Sequence, residues 1–166
     1  MTDKTIPTKG ILKRSVNTTV KCSQEDAFAL ISSSDELHLW LKKCGAVPGA
    51  KSVDIIKGPY DFIGAKRKIT FESGDTAQEE LLSYNSSANY SYTVTKFSNF
   101  LEKLSGHGYG QLWFDNELGE TRITWTYTFK YKNIFKRAAL SLFLTFVYKK
   151  FLNNSLKEAK RILEKK

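Results

Sequence analysis

From Asn133 to the C-terminus the chain contains neither glycine nor proline. This stretch is rich in Leu, Lys, Ala and Phe, and Asn133 can cap it, so it reads as one long helix. The segment before it follows a different period. Between Ala50 and Phe129 the strand-like runs are 51–57, 65–71, 77–84, 90–95, 107–114 and 121–130. Turn signals such as Lys57-Gly58-Pro59, Ser73-Gly74-Asp75 and Asn85-Ser86-Ser87 separate them, and short connections of this kind favour antiparallel hairpins. A sheet with one apolar face has to be covered, and only the terminal helix is long enough to cover it.

The N-terminal third completes the layout. Residues 1–10 are polar, with Pro7 and Gly10, and read as a flexible tail ahead of a single domain, 11–166. Residues 11–20 form a first strand. Ser23-Gln24-Glu25-Asp26 is a capping box leading into a short helix, and Ser34 is placed to cap a second one that presents Leu37, Trp40 and Leu41. The expected class is α+β: a curved antiparallel seven-stranded sheet wrapped around a long C-terminal helix, with two short helices after the first strand. On that helix the expected inward stripe is Ala138, Leu142, Phe146, Leu152, Leu156 and Leu163. Leu144 and Tyr148 then lie outside, available for a homodimer contact.

Composition bounds the function. With 166 residues, 41% hydrophobic and 13% aromatic, the chain is globular. MTDKTIPTKG has no apolar leader, and the apolar run 138–148 would span only about 16 Å as a helix. A cytoplasmic protein is the default expectation. Cys22 and Cys44 lack CxxC spacing and there are two His, so no metal site is expected; the two thiols read as small buried hydrophobes. The net charge of +9 is carried by residues 130–166, which hold 11 Lys/Arg against 2 acids. A solvated Lys-rich face is the plain reading. The functional one is peripheral contact with an anionic membrane through Lys149, Lys150, Lys157, Lys160 and Arg161. No RNA-recognition or helix-turn-helix pattern points to nucleic acid.

The Lys66-Arg67-Lys68 triplet is split by strand geometry. Arg67 shares a face with Ile69 and Phe71, whereas Lys66 and Lys68 point the other way. On the next strand Ala77, Glu79 and Leu81 join the Arg67 face. A buried Arg needs a partner, and Glu79 is in reach across the hairpin. The apolar face also receives Tyr90, Tyr92 and Val94, then Trp125, Tyr127 and Phe129. The set His107, Tyr109, Gln111 and Trp113 is assigned to it as well. Large aromatics facing Ala138 and Ala139 suggest a hollow beside the helix. Residues 96–110 supply a lid (Phe97, Phe100, Leu101), with Gly106, Gly108 and Gly110 as hinges or bulges.

Three stretches carry a family resemblance. "VKCSQEDAFALISSSDELHLW" is similar to the opening strand and helices of the helix-grip superfamily. "GAKRKITFESGDTAQEELLSYNSSANYSYTV" looks like its Gly-x-x-Arg hairpin, with Glu79 falling where that group has a Glu. "GETRITWTYTFKY" resembles its last strand. That superfamily comprises START-like lipid-transfer domains, polyketide cyclase/dehydrase-like proteins and birch-pollen-allergen-like proteins. The resemblance implies a binder or transporter of a small hydrophobic or amphipathic ligand (lipid, fatty acid or polyketide-like), with no cofactor. The expected ligand-binding set is Trp40, Arg67, Ile69, Phe71, Glu79, Leu81, Tyr92, Tyr109, Trp113, Trp125, Tyr127, Leu142 and Phe146. The alternative is a cyclase/dehydratase-type enzyme on the same scaffold, with Glu79, His107 and Tyr109 as the acid/base candidates. No nucleophile elbow, zinc motif or phosphate loop is present to favour other chemistry.

Overall fold

Seven antiparallel strands and one interrupted helix make up most of the computed structural model, which describes residues 6–165. Residues 1–5 of the expected tail lie outside the described residues. The strands are β1 (Ile11–Val20), β2 (Ala50–Lys57), β3 (Lys66–Phe71), β4 (Thr76–Asn85), β5 (Asn89–Thr95), β6 (His107–Glu117) and β7 (Glu120–Lys130). They lie in the order β1-β7-β6-β5-β4-β3-β2, so β2 to β7 form a meander and β7 returns beside β1. Short helices α1 (Gln24–Ser32) and α2 (Leu37–Trp40) follow β1, and α3 (Phe100–Leu104) sits between β5 and β6. The terminal helix comprises α4 (Ile134–Phe143), a widened π-turn (Leu144–Tyr148) and α5 (Lys149–Leu163). This is the helix-grip architecture.

Local signals explain the ends of the helices. Ser23 caps α1 by accepting from the Asp26 amide, and Asn133 caps α4 by accepting from Lys136. Ser34 does not cap α2. The N-cap position there is Glu36, whose amide donates to Ser33, and Ser34 faces the interior instead.

The inner face of the sheet is built in cross-strand rows. One row is Glu79, Val94, Gly108 and Phe129, and the next is Leu81, Tyr92, Gly110 and Tyr127. The glycines therefore point inward, which corrects two expectations. Gly108 and Gly110 are regularly paired strand residues and not hinges or bulges, Gly106 lies in the turn before β6 at φ 79°, and His107, Tyr109, Gln111 and Trp113 lie on the outer face. A β-carbon at Gly110 would collide with the Tyr92 ring, and one at Gly108 would meet Tyr127 and Phe129 at 3.1 and 3.2 Å. Inward rings on both flanking strands need the bare backbone of β6 between them. A bulge between Leu81 and Ser83 resets the alternation on β4, and the Tyr84 ring meets Phe28 edge-on.

The terminal helix needs a second correction. Its inward residues are Leu140, Leu144, Tyr148, Phe151, Leu152, Leu156, Ala159 and Leu163, all buried. Ala138, Ala139, Leu142 and Phe146 are exposed, so the small residues at its start hold no space open inside. Leu140, Leu144, Tyr148 and Leu152 recur every four residues, more than the 3.6 of an α-helix. The π-turn absorbs the excess and keeps them on one line. Because this half of the helix is apolar nearly all round, its amino-acid types left the phase open. Burial of Leu144 and Tyr148 removes them as a dimer contact.

Candidate functional site

The concave face closes over a cavity between the sheet, α2 and the π-turn. Centres of water-sized spheres fit into about 70 Å³ of it, room for a few waters or a small organic group. Its wall includes Leu37, Trp40, Leu41, Arg67, Ile69, Phe71, Ala77, Glu79, Tyr92, Val94, Trp125, Tyr127, Tyr148 and Phe151. Val47 and Pro48 line it from one side, and Phe97, Asn99 and Leu101 from the α3 segment. The aromatic rings occupy most of the hollow expected from the sequence.

One wall is ionic and fully engaged. Arg67 and Glu79 are directly opposite each other in the β3–β4 register. Nε and Nη2 of Arg67 each lie 2.8 Å from Glu79 Oε2, and Nη1 donates to Ser34 Oγ at 3.1 Å. The Tyr60 ring lies 4.1 Å from the guanidinium, and its hydroxyl donates to Glu79 at 3.4 Å. Burial works against the Arg67 charge, yet Glu79 and then Tyr60 outweigh it and hold the guanidinium protonated. The flanking lysines behave as the split triplet predicts. Lys66 pairs with Glu80 and Lys68 with Asp54, each at 3.2 Å, the first pair partly buried and the second more exposed.

The opposite wall is aromatic and under-satisfied. Trp40 and Trp125 meet edge to face, centroids 5.6 Å apart, and both are buried. Their indole N–H groups are the buried side-chain polar atoms that find no partner among the described residues. Tyr127 packs edge-on against both Tyr92 and Tyr148, at 6.2 and 5.2 Å. Burial pushes the Tyr92 and Tyr127 hydroxyls well above their ordinary range, and Tyr148 upward too. These phenols stay neutral, and the Tyr127 hydroxyl is already hydrogen-bonded to that of Tyr148.

The expected set is therefore only partly assembled. Trp40, Arg67, Ile69, Phe71, Glu79, Tyr92, Trp125 and Tyr127 line the cavity, and Leu81 is buried in the core beside it. Tyr109, Trp113, Leu142 and Phe146 do not reach it. His107 is exposed and stacks on Tyr109 on the outer face, so the three acid/base candidates are not brought together. Sequence reasoning missed Tyr60 and the helix residues Tyr148 and Phe151, whereas Val94, placed on the apolar face by its alternation, lines the cavity. For Tyr148 the four-residue recurrence from Leu140 was an available signal; for Tyr60, in the β2–β3 connection, there was none. Cys22 and Cys44 are half-buried rather than fully so, and burial, followed by Asp26 and Glu164, raises the Cys22 thiol. Among the described residues no cluster of His, Cys, Asp and Glu is arranged to hold a metal, and no helix is long and apolar enough to cross a membrane.

A sheet gripping a terminal helix over a largely apolar cavity with one ionic wall defines the helix-grip class. Residues 12–164 match the family described as polyketide cyclase / dehydrase and lipid transport, and the chain belongs to it. Solved structures of similar fold include Ara h 8.0201 (TM-score 0.69, 16% identity, covering 95% of this chain and 100% of that one). A major latex-like protein from Panax ginseng also aligns (TM-score 0.69, 14% identity, 93% and 98% covered). So does protein CV1439 from Chromobacterium violaceum (TM-score 0.65, 13% identity, 92% and 96% covered). At such identities the likeness is one of fold. No curated protein sequence matches the chain.

Proposed function

We propose that this chain is a carrier that encloses a small, neutral, amphipathic ligand, holding its oxygen acceptor against Trp40 and Trp125. The carrying observation is the pair of buried indole N–H groups, unpartnered among the described residues, at a largely apolar cavity whose ionic groups are already paired. A buried donor without an acceptor costs on the order of 1–3 kcal/mol, which a carbonyl, ester or hydroxyl oxygen in the cavity would remove. The charge balance argues for neutrality. Arg67 and Glu79 are the charged groups in the wall and they cancel, while the tyrosines stay uncharged. An anionic head would enter a low-dielectric site with no net countercharge.

Catalysis has less support. Glu79 is committed to Arg67 and Tyr60, and His107 and Tyr109 are outside. A ligand longer than the cavity enters by displacing Phe97 and Leu101 of the α3 segment from the mouth.

Intrinsic fluorescence tests the reading. Trp113 lies on the outer face, so a Trp113→Phe variant reports only on Trp40 and Trp125. Titration with decan-1-ol or methyl decanoate is expected to shift its emission, with at least tenfold weaker binding of decanoate. Filling the space with Ala77→Phe is expected to abolish the response. A carboxylate that binds as tightly as the alcohol would refute the neutral-ligand reading. Lack of any response, with no small molecule seen by native mass spectrometry of the purified protein, would overturn the carrier itself.

A further inference from the structure

We propose that α4 and the turn after it form a membrane-docking face that lies flat on an anionic bilayer. Several large apolar side chains here stand in water: Phe135 is 88% exposed, Phe146 70%, and Ile134 and Leu142 61% each. Phe135, the adjacent pair Ala138-Ala139, Leu142 and Phe146 succeed one another about one turn apart, which sets them along one side of the helix, opposite buried Leu140 and Leu144. The buried side already covers the core, so this stripe is a second apolar face with no described element against it.

Charge selects the occupant. Residues 138–148 contain no charged side chain and are bounded by Lys136-Arg137 on one side and Lys149-Lys150 on the other. No Asp or Glu occurs from Thr121 through Lys157. None of the four flanking bases is ion-paired with another described residue. A helix with an apolar stripe and basic flanks seats about 5–10 Å into the headgroup boundary of an anionic membrane. A second copy of the chain fits poorly, because an isologous contact would bring basic rims together with no acid between them. Nucleic acid would pair with the bases but leave the phenylalanines in water. The basic C-terminal end expected from the sequence is less suited, since Lys160 is held by Thr19 O and Glu164, and Arg161 by Glu158.

The face adjoins the α3 segment that lines the cavity. Phe100 of α3 is half-exposed and meets Phe143 of α4 edge-on at 4.9 Å, while its neighbour Leu101 lines the cavity. Docking would therefore set the α3 lid at the lipid surface, a consequence that rests on the carrier reading; docking itself does not.

Co-sedimentation of the full chain with phosphatidylcholine vesicles, with and without about one-third phosphatidylserine, tests the inference. Binding is expected only with the anionic lipid, falling steeply as salt shortens the screening length to about 8 Å near physiological strength. The variant Phe135→Ser/Leu142→Ser/Phe146→Ser is expected to lose at least tenfold in binding with its melting temperature unchanged. Replacing Lys136, Arg137, Lys149 and Lys150 by Gln is expected to lose on the order of a thousandfold. The cavity-filling Ala77→Phe variant is expected to dock as the parent does, which separates this inference from the carrier proposal. Binding that ignores phosphatidylserine, or that survives the triple substitution, would overturn it. So would light scattering that shows a dimer dissociated by that substitution.

Discussion

The two halves of the terminal helix reverse the usual relation between composition and burial. α5, KKFLNNSLKEAKRIL, is the more polar half, yet it buries Phe151, Leu152, Ser155, Leu156, Ala159 and Leu163. α4, IFKRAALSLF, is the more apolar half and buries Leu140. The difference lies in what stands opposite. α5 packs against β1, α1 and α2, so its apolar side has a wall to meet. α4 packs against α3 and is tied to β1 by Arg14, whose guanidinium donates to Ser141 and Thr145. Burial in this molecule follows cover and not residue type, and the uncovered apolar side chains of α4 are the ones left for another phase.

The hardest test of that contrast is whether the interior is dry. Arg67 is 2% exposed, and Arg67→Met would leave Glu79 buried without its countercharge, costing about 3–5 kcal/mol in denaturant unfolding. The double variant Arg67→Met/Glu79→Gln is expected to cost less than the single one, because the stranded charge is gone. Lys66→Met, which breaks the half-exposed pair with Glu80 one residue away, is expected to cost about 0–1 kcal/mol. Equal losses at the two sites would mean that water reaches the sheet's inner face, and the distinction between covered and uncovered faces would fail.

Leu156 is 1% exposed, and truncation to Ala removes packing that the rest of α5 cannot replace. A loss of about 2–5 kcal/mol is expected. A loss below about 1 kcal/mol would show α5 to be loosely seated and the comparison overdrawn.

How much of this was legible in the sequence differs along the same lines. Strand alternation separated Arg67 from its lysines and put Glu79 opposite it, because each face of β3 and β4 carries a consistent chemistry. The order of elements was legible because turn residues punctuate the meander. On β6 the alternation misled. Its bulky set, Tyr109 and Trp113, faces out, and its small set, Gly108 and Gly110, faces in beneath rings from β5 and β7. No property of β6 alone encodes that; it depends on knowing the neighbours. On α4 the apolar residues surround the helix, so no stripe stands out. The phase is fixed by a π-turn and by partners remote in sequence. Tyr60, which lies over the Arg67 guanidinium, comes from a connection with no periodicity to read.

Gly110 sharpens the point about neighbours. Gly110→Ala places a methyl where the Tyr92 ring now lies, and that ring is 4% exposed and lines the cavity. Overpacking of about 1–3 kcal/mol is expected, with weaker response of the Trp40–Trp125 emission to decan-1-ol. A neutral Gly110→Ala would mean that the inward rings have slack, and that the cavity is softer than its walls suggest.

The smallest expected effect discriminates most finely between the two helix halves. Leu142→Ser and Phe146→Ser remove apolar side chains 61% and 70% exposed, from positions where no described element packs. Each is expected to change stability by less than about 0.5 kcal/mol, against several for Leu156→Ala at the other end of the same helix. Both substitutions also make the surface more polar, so expression and solubility are expected to rise while the melting temperature holds. A melt lowered by as much as Leu156→Ala lowers it would mean that these side chains are covered in solution by a second copy, and the parent's melting midpoint would then rise with protein concentration.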